Sequence, residues 1–306
     1  MRVSARAIVF AVVVAATVVG ARPAFAQAWV LPAGSGAITV VTQEIDHVGR
    51  LHDDGSRTSD GQFVNLGFDA ELDYALTDRW SITTSLPFIA AKYTDANPPP
   101  SFIPFTAIDS CRCWQSGFSD FGLTSRYNLV NHDRAFMLTP FVSVGVPTHS
   151  YEYDGEAVLG RRLKQLRVGT AAGQRLDWPL RGLAAEASYS YTAVPKVLDM
   201  SSNRSNGTVA VSYTLRLGLS ASAIASWQRT HGGLRGPEIA GFPDRIAEFQ
   251  RLMRDNYLQT GYSVSFAHGA WDVSASYLWT ERGTNTHDVN VYSATVSRLF
   301  EFHRQH

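Results

Sequence analysis

The feature that most constrains this chain is a strict alternation of apolar and polar residues near its C-terminus. In residues 289–302 one side carries Tyr292, Ala294, Val296, Phe300 and Phe302, broken only by Arg298, and the other carries Ser293, Thr295, Ser297 and Glu301. A period of two indicates a β-strand with one apolar and one polar face. The segment is longer than the ~5–6 residues usual in globular proteins and exceeds the ~9–11 that a tilted strand needs to cross a bilayer. It ends on aromatic residues, as outer-membrane barrels do, so we expect it to pair with the first strand.

The same alternation recurs along the chain. Residues 62–76 show it most clearly, because seven apolar residues at even positions from Val64 to Leu76 alternate with Asn65, Gly67, Asp69, Glu71 and Asp73. We predict strands at residues 36–48, 62–76, 80–93, 117–130, 135–149, 163–176, 182–194, 207–215, 217–231, 257–267, 270–282 and 289–302. About twelve strands fit the even strand numbers of single-chain outer-membrane barrels.

The connections between these strands alternate between long and short. The short ones are residues 77–79, 131–134, 177–181, the region of Arg216, and 268–269, and the long ones include 49–61, 94–116, 150–162 and 232–256. Short periplasmic turns and long extracellular loops are typical of transmembrane barrels. Residues 244–255, inside the last long loop, have helical spacing and predict a short helix there. The even strand number predicts both termini on the periplasmic side.

Alternation alone does not say which face is inside, so a lipocalin or a β-sandwich is the soluble alternative. Strand length, a polar face of small uncharged residues, and aromatics near strand ends favour the membrane. These aromatics are Trp80, Tyr93, Trp227, Trp271, Trp279 and Phe302. We therefore predict an all-β fold, a single transmembrane antiparallel up-and-down β-barrel of about 12 strands with its apolar face toward lipid.

The N-terminus predicts export. Arg2 and Arg6 precede the apolar run 7–20, and Ala24-Phe25-Ala26 is a small-x-small cleavage site, so residues 1–26 read as a secretory signal peptide and residues 27–306 as the barrel. We expect the bacterial outer membrane as location, with outer-membrane lipid, the barrel assembly machinery and a small-molecule permeant as partners. The 27 basic residues balance the 27 acidic ones, and no long basic run argues for nucleic acid.

Charged residues on the polar faces are the candidates for the lumen. They are Asp69, Glu71 and Asp73, Asp120 and Arg126, Arg167 and Arg175, Glu186, and Arg216. On the lipid face an Arg or Lys would cost ~2–4 kcal/mol near the midplane, whereas inside the barrel charges can pair. Two interpretations stay open: a selectivity filter for permeants, or a network of ion pairs that holds a narrow lumen shut.

Other chemistry has weak support in the sequence. Cys111 and Cys113 would be exported to an oxidising compartment, which allows a disulfide, although a bridge across one residue is strained. We find no further ligands for a metal near them, no nucleophile elbow, and no metalloprotease or phosphate-binding motif. An outer-membrane phospholipase carries Ser and His on its outer wall, but we identify no convincing outward pair here. We expect no enzyme, no cofactor and no metal.

Two stretches resemble the "MetA-pathway of phenol degradation" family of outer-membrane transporters. They are residues 117–129 (GFSDFGLTSRYNL) and residues 71–80 (ELDYALTDRW), the second followed by SLPF at 85–88. The resemblance implies a barrel of about twelve strands that passes small molecules, aromatic ones among them. It supplies no catalytic residues, and the cysteine pair and the helical insertion are not part of its pattern. The function expected is a passive channel. The alternatives are a structural or adhesive barrel with a plugged lumen and, with less support, a lipid hydrolase.

Overall fold

The computed structural model describes residues 28–97, 105–130, 135–176, 181–239 and 242–301. The predicted signal peptide, the turns at 131–134 and 177–180, and Phe302 lie outside the described residues. The strands are β1 (Ser35–Leu51), β2 (Arg57–Thr58), β3 (Phe63–Ala75), β4 (Trp80–Tyr93), β5 (Gln115–Phe118), β6 (Asp120–Tyr127), β7 (Phe136–Pro147), β8 (Gln165–Leu176), β9 (Leu183–Ala193), β10 (Ser202–Thr214), β11 (Leu219–Gly232), β12 (Asn256–His268), β13 (Trp271–Thr284) and β14 (Thr286–Glu301).

Within these residues the strands form a closed antiparallel barrel. Each long strand pairs with its neighbours in sequence, and β1 pairs with β14 from Ser35 opposite Glu301 to Leu51 opposite Thr286. The short β2 adds to the end of β1, and β5 and β6 both pair with β4 as two parts of one wall position. The prediction of about twelve barrel strands is confirmed.

The wall formed by β5 and β6 is interrupted at Ser119. Its backbone N–H donates to the Pro87 carbonyl at 2.9 Å, and its hydroxyl donates to the carbonyl of Leu159 at 2.9 Å. Ser119 therefore keeps its backbone contact with β4, while its side chain binds the segment between β7 and β8.

The apolar faces lie on the outside of the barrel. Large apolar side chains exposed there include Ile38, Val40, Phe68, Leu72, Val142, Val209, Val211 and Tyr262. In β3 the exposed Phe68 and Leu72 flank Asp69 and Glu71, which point the other way and are less exposed. This is the reverse of a lipocalin, which places apolar residues inside.

The aromatic residues divide between the two faces. Trp80 and Trp271 are exposed on the outer wall, and the Arg298 guanidinium lies 5.3 Å from the Trp271 ring, which accounts for the charge on the apolar side of β14. Tyr93 was expected in the outer girdle, but it is 1% exposed and packs with Phe63. Its odd position in β4 gives it the inward phase, opposite to Trp80.

The described parts of the long loops contain four short helices: α1 (Ala107–Cys111), α2 (Gly236–Ile239), α3 (Pro243–Ala247) and α4 (Phe249–Leu252). The helix expected at 244–255 is therefore two separate turns, because Glu248 leaves helical geometry between α3 and α4. The buried side chains of Ile239 and Phe249 pack together and hold the turns in place. Among the described helices none has the length and apolar character to cross a membrane.

Candidate functional site: the barrel lumen

The polar faces of the strands enclose a cavity of about 370 Å³ in the lumen. Five of the nine residues expected in the lumen line it, namely Asp69, Glu71, Asp120, Arg126 and Arg167. The acidic pair comes from β3, and Arg167 comes from β8, four wall positions away. Charges of opposite sign thus face a shared space from different walls of the barrel.

Asp73, the third acidic residue of β3, neutralises Arg126. The Arg126 Nη1 atom lies 4.0 Å from Asp73 Oδ1 and donates to the Thr83 hydroxyl at 2.5 Å. The Thr83 hydroxyl in turn donates to Asp73 at 3.0 Å. Asp73, Thr83 and Arg126 thus form a hydrogen-bonded ion pair, the kind of contact that a lumen held shut by ion pairs requires.

Asp69 and Arg167 have looser surroundings. Asp69 Oδ1 is buried with no hydrogen-bond partner among the described residues, and Arg167 donates to the Thr192 hydroxyl at 3.3 Å rather than to a carboxylate. Asp120 accepts from the Tyr151 hydroxyl at 2.5 Å and from Gln165 at 3.4 Å. Asp69 and Arg167 are therefore more available to a solute in the cavity than Asp120, both of whose carboxylate oxygens accept hydrogen bonds.

The segment before β1 folds into the end of the lumen that carries the short turns. The Ala28 N–H donates to Glu186 Oε1 at 3.0 Å, and the Thr139 hydroxyl donates to the Ala28 carbonyl at 2.6 Å. The Trp29 ring lies 5.1 Å from the Arg175 guanidinium. Glu186 and Arg175, two of the expected lumen residues, therefore hold the N-terminal segment rather than line an empty pore. Arg216, the ninth, is in a tight turn at the same rim, and its side chain lies outside the described residues.

At the other end, the β7–β8 loop (148–164) folds inward and meets two further loops. Asp109, in the β4–β5 loop (94–114), accepts from the backbone N–H groups of Glu156 and Ala157, both at 3.2 Å. The Glu156 carboxylate pairs with Arg50 at the end of β1. Sequence reasoning did not identify this contact, because 106 residues separate its two members.

The β11–β12 loop (233–255), called the cap below, completes the cover. Arg161 Nε donates to the Gln250 carbonyl at 2.5 Å, and Arg251 Nε donates back to the Arg161 carbonyl at 2.9 Å. The Arg251 guanidinium also lies 3.4 Å from the Tyr153 ring. Hydrogen bonds in both directions therefore hold the cap and the β7–β8 loop together over the lumen.

The cysteines lie in the β4–β5 loop, away from the lumen cavity. A disulfide joins Cys111, the last residue of α1, to Cys113. Among the described residues no group of three His, Cys, Asp or Glu side chains is arranged to hold a metal ion.

A serine and a histidine meet on the outer wall, where we expected no convincing pair. Ser205 Oγ lies 2.7 Å from His231 Nε2 and 3.1 Å from the Tyr189 hydroxyl. These residues share the outward phase of Val209. Ser205 is 3% exposed, and no described carboxylate hydrogen-bonds to the second nitrogen of His231. The pair thus lacks the third group that orients the base in hydrolase sites.

A scan against protein-family models found no match, and a search of curated proteins found none either. Among solved structures, the chain is similar to an outer membrane channel from Pseudomonas putida F1, with a TM-score of 0.70 and 15% identity over 91% of this chain and 100% of that one. The β domain of the Bordetella autotransporter BrkA is more distant, with a TM-score of 0.47, 12% identity, and coverage of 88% of this chain and 100% of that one. The chain therefore has the fold of an outer-membrane β-barrel.

Proposed function

We propose that the mature chain, after removal of residues 1–26, is an outer-membrane channel for passive passage of small solutes. The observation that carries this is a closed barrel whose apolar residues face outward and whose charged residues surround an internal cavity. Such a wall is stable in lipid, and a polar interior with charges of both signs can select what passes. The likeness to the Pseudomonas putida channel supports the proposal at the level of the fold.

The permeants we propose are small and carry a polar or charged group. The central cavity holds about 370 Å³ and presents Asp69, Glu71 and Arg167 to a solute. Phe141 supplies an aromatic ring to the same space. This ring packs so closely on Gly169 that a Cβ atom at Gly169 would lie 2.5 Å from it. The resemblance to the phenol-degradation family extends the proposal to aromatic molecules.

Passage requires movement at both ends. The N-terminal segment fills the side that carries the short turns through Ala28 and Trp29, and the cap and the β7–β8 loop cover the other side. The structural or adhesive alternative is a barrel in which neither cover ever moves.

Two measurements test the channel. Purified protein is inserted into a planar bilayer for single-channel recording, and into liposomes for swelling with sugars, organic acids and phenolics. We expect discrete conductance from the intact chain and a larger one when residues 236–252 are replaced by a short Gly-Ser linker. If neither chain conducts and neither admits any solute, while both melt cooperatively as folded barrels, the channel proposal is wrong.

The Ser205–His231 contact favours a second candidate, hydrolysis of lipid at the outer wall. A serine nucleophile activated by histidine needs this contact, and both residues have the outward phase of their strands. Release of fatty acid from phospholipid vesicles by the intact protein, abolished in S205A, would establish it. Equal rates of fatty-acid release by the two proteins would show that Ser205 and His231 only pack in the barrel wall beside Tyr189.

A further inference from the structure

A second cavity, of about 250 Å³, lies beneath the cap and apart from the central one. On the barrel side its wall includes His47 of β1, Phe63 of β3 and His287 of β14. On the loop side it includes Arg161, Phe249 and Met253. A cavity of 150 Å³ accommodates benzene, so this one has room for a ring and a substituent.

One wall of this cavity is aromatic. The His47 and Phe63 rings are stacked with centroids 3.5 Å apart, and the His287 ring stands edge-on to both, at 4.9 Å and 4.8 Å. Aromatic pairs prefer stacked or edge-to-face contact. A flat apolar ligand can extend this cluster.

The opposite side carries positive charge in excess. Arg204 pairs with Asp255 at 2.9 Å, and Arg251 pairs with Glu248 at 3.1 Å. Arg161 is satisfied by main-chain carbonyls and has no carboxylate partner among the described residues. Burial, and then the neighbouring Arg204, lower the pKa of Arg161 to about 9 against the opposing effect of Asp255, so Arg161 remains protonated at neutral pH. Asp255 is itself paired with Arg204, and a buried guanidinium that has no ion pair of its own attracts an anion.

Several buried polar atoms around the cavity have no hydrogen-bond partner among the described residues, although Arg50 Nε lies 3.9 Å from Asp60 Oδ2. They are both ring nitrogens of His47, His287 Nδ1, the Nε atoms of Arg50 and Arg204, and Glu156 Oε1. Side chains of His47, Arg50 and Glu156 are at least nine-tenths buried. Buried polar groups are normally hydrogen-bonded, and so many in one place indicate a site that a polar ligand completes.

We propose that this cavity binds a small organic anion that combines a flat ring with a carboxylate, of the size of benzoate. The ring lies against His47, Phe63 and His287, and the carboxylate lies toward Arg161. A role for this site in permeation rests on the proposed channel function, whereas binding of the anion to the cavity does not.

The test is isothermal titration of the intact, detergent-solubilised barrel with three probes. Benzoate has ring and charge, phenol has the ring without the carboxylate, and acetate has the carboxylate without the ring. We expect saturable benzoate binding and affinities at least about tenfold weaker for phenol and for acetate. No saturable benzoate binding, or equal affinity for benzoate and either partial probe, overturns the proposal.

Variants assign the binding to this cavity. R161M should weaken benzoate about tenfold or more, and R254M, which removes an exposed arginine of the same cap, should leave it unchanged. Because R161M also removes hydrogen bonds to the cap, M253F serves as a second variant that fills the cavity with its charges intact, and it should weaken binding similarly. Unchanged affinity in M253F overturns the assignment. Since no transport is measured, loss of conductance with binding retained would count against the channel alone.

Discussion

The guanidinium of Arg50, at the end of β1, is paired with the carboxylate of Glu156 on the loop that enters the lumen. Both side chains are nearly inaccessible to solvent, at 9% and 0%. Next to Glu156, the backbone N–H of Ala157 donates to Asp109 of the β4–β5 loop. This ion pair therefore joins the barrel wall to the interlocked loops that cover the pore.

We predict that E156A releases the β7–β8 loop. At pH 8, where the Glu156 carboxylate is ionised, removing it leaves the buried Arg50 guanidinium unpaired, which typically costs about 3–5 kcal/mol. Amide hydrogen exchange at residues 156 and 157 should accelerate accordingly, while exchange in the barrel strands is unchanged. E152A, at an exposed position of the same loop, is the matched control. Equal protection in E156A and E152A would show that Arg50 does not hold the loop.

The same loop should be sensitive to pH. Burial raises the pKa of Glu156 to about 7, against the opposing effect of Arg50, and Asp109 and Asp60 raise it further. A carboxyl whose folded pKa lies above its unfolded value of 4.5 stabilises the docked loop below that value, and the stabilisation is lost as pH rises through about 7. Exchange protection at residues 156 and 157, corrected for intrinsic rates, should fall between pH 5 and pH 8. E156Q should flatten this profile, and a profile identical to wild type would assign the pH effect to another group.

In the lumen, we predict that D69N/E71Q shifts ion selectivity toward anions. These two carboxylates face the central cavity, whereas Asp73 is already paired with Arg126. The reversal potential under a salt gradient should change by at least about twofold in permeability ratio at low salt, where the Debye length is about 10–30 Å. E44Q, on the outward phase of β1, should leave the ratio unchanged. An unaltered ratio in D69N/E71Q would favour the structural network over the selectivity filter.

At the end of the lumen that carries the short turns, G173V should displace the N-terminal segment. A Cβ atom at this glycine would lie 2.3 Å from the Trp29 ring, so the ring must move off the wall. We expect higher single-channel conductance, with the β-sheet circular dichroism signal of the wild type. G145A is the control, since its Cβ atom would make ordinary contact with Gln165 at 3.6 Å. If conductance in G173V matches that in G145A, Trp29 does not obstruct the pore.

The barrel wall could be predicted from sequence because period-two alternation indicates both where a strand lies and which of its side chains share a face. β4 was predicted with its observed bounds, Trp80–Tyr93. The strand expected at 207–215 begins earlier, at Ser202. The sequence did not predict this start, because residues 202–206 are all polar and show no alternation. Pairing with β11, from Ser202 opposite Gly232, extends the strand where local pattern does not.

The covers of the lumen could not be predicted in the same way. Residues 28–31 lack any period, and their place is set by Glu186 and Thr139, more than a hundred residues away. The helical spacing at 244–255 was read as one helix, but contacts of Arg251 and Gln250 with the β7–β8 loop accompany a break at Glu248. Tertiary contacts of this kind have no local signature.

The seam between β1 and β14 joins the two ends of the described barrel. Until the final strand has been synthesised, β1 has an unsatisfied edge along its whole length, and so does each newly added strand. Such an edge is a template for pairing with other chains, and contacts this distant in sequence form slowly. A chain truncated before β14 should therefore fail to close and be prone to aggregation, so synthesis must finish before the wall can be sealed.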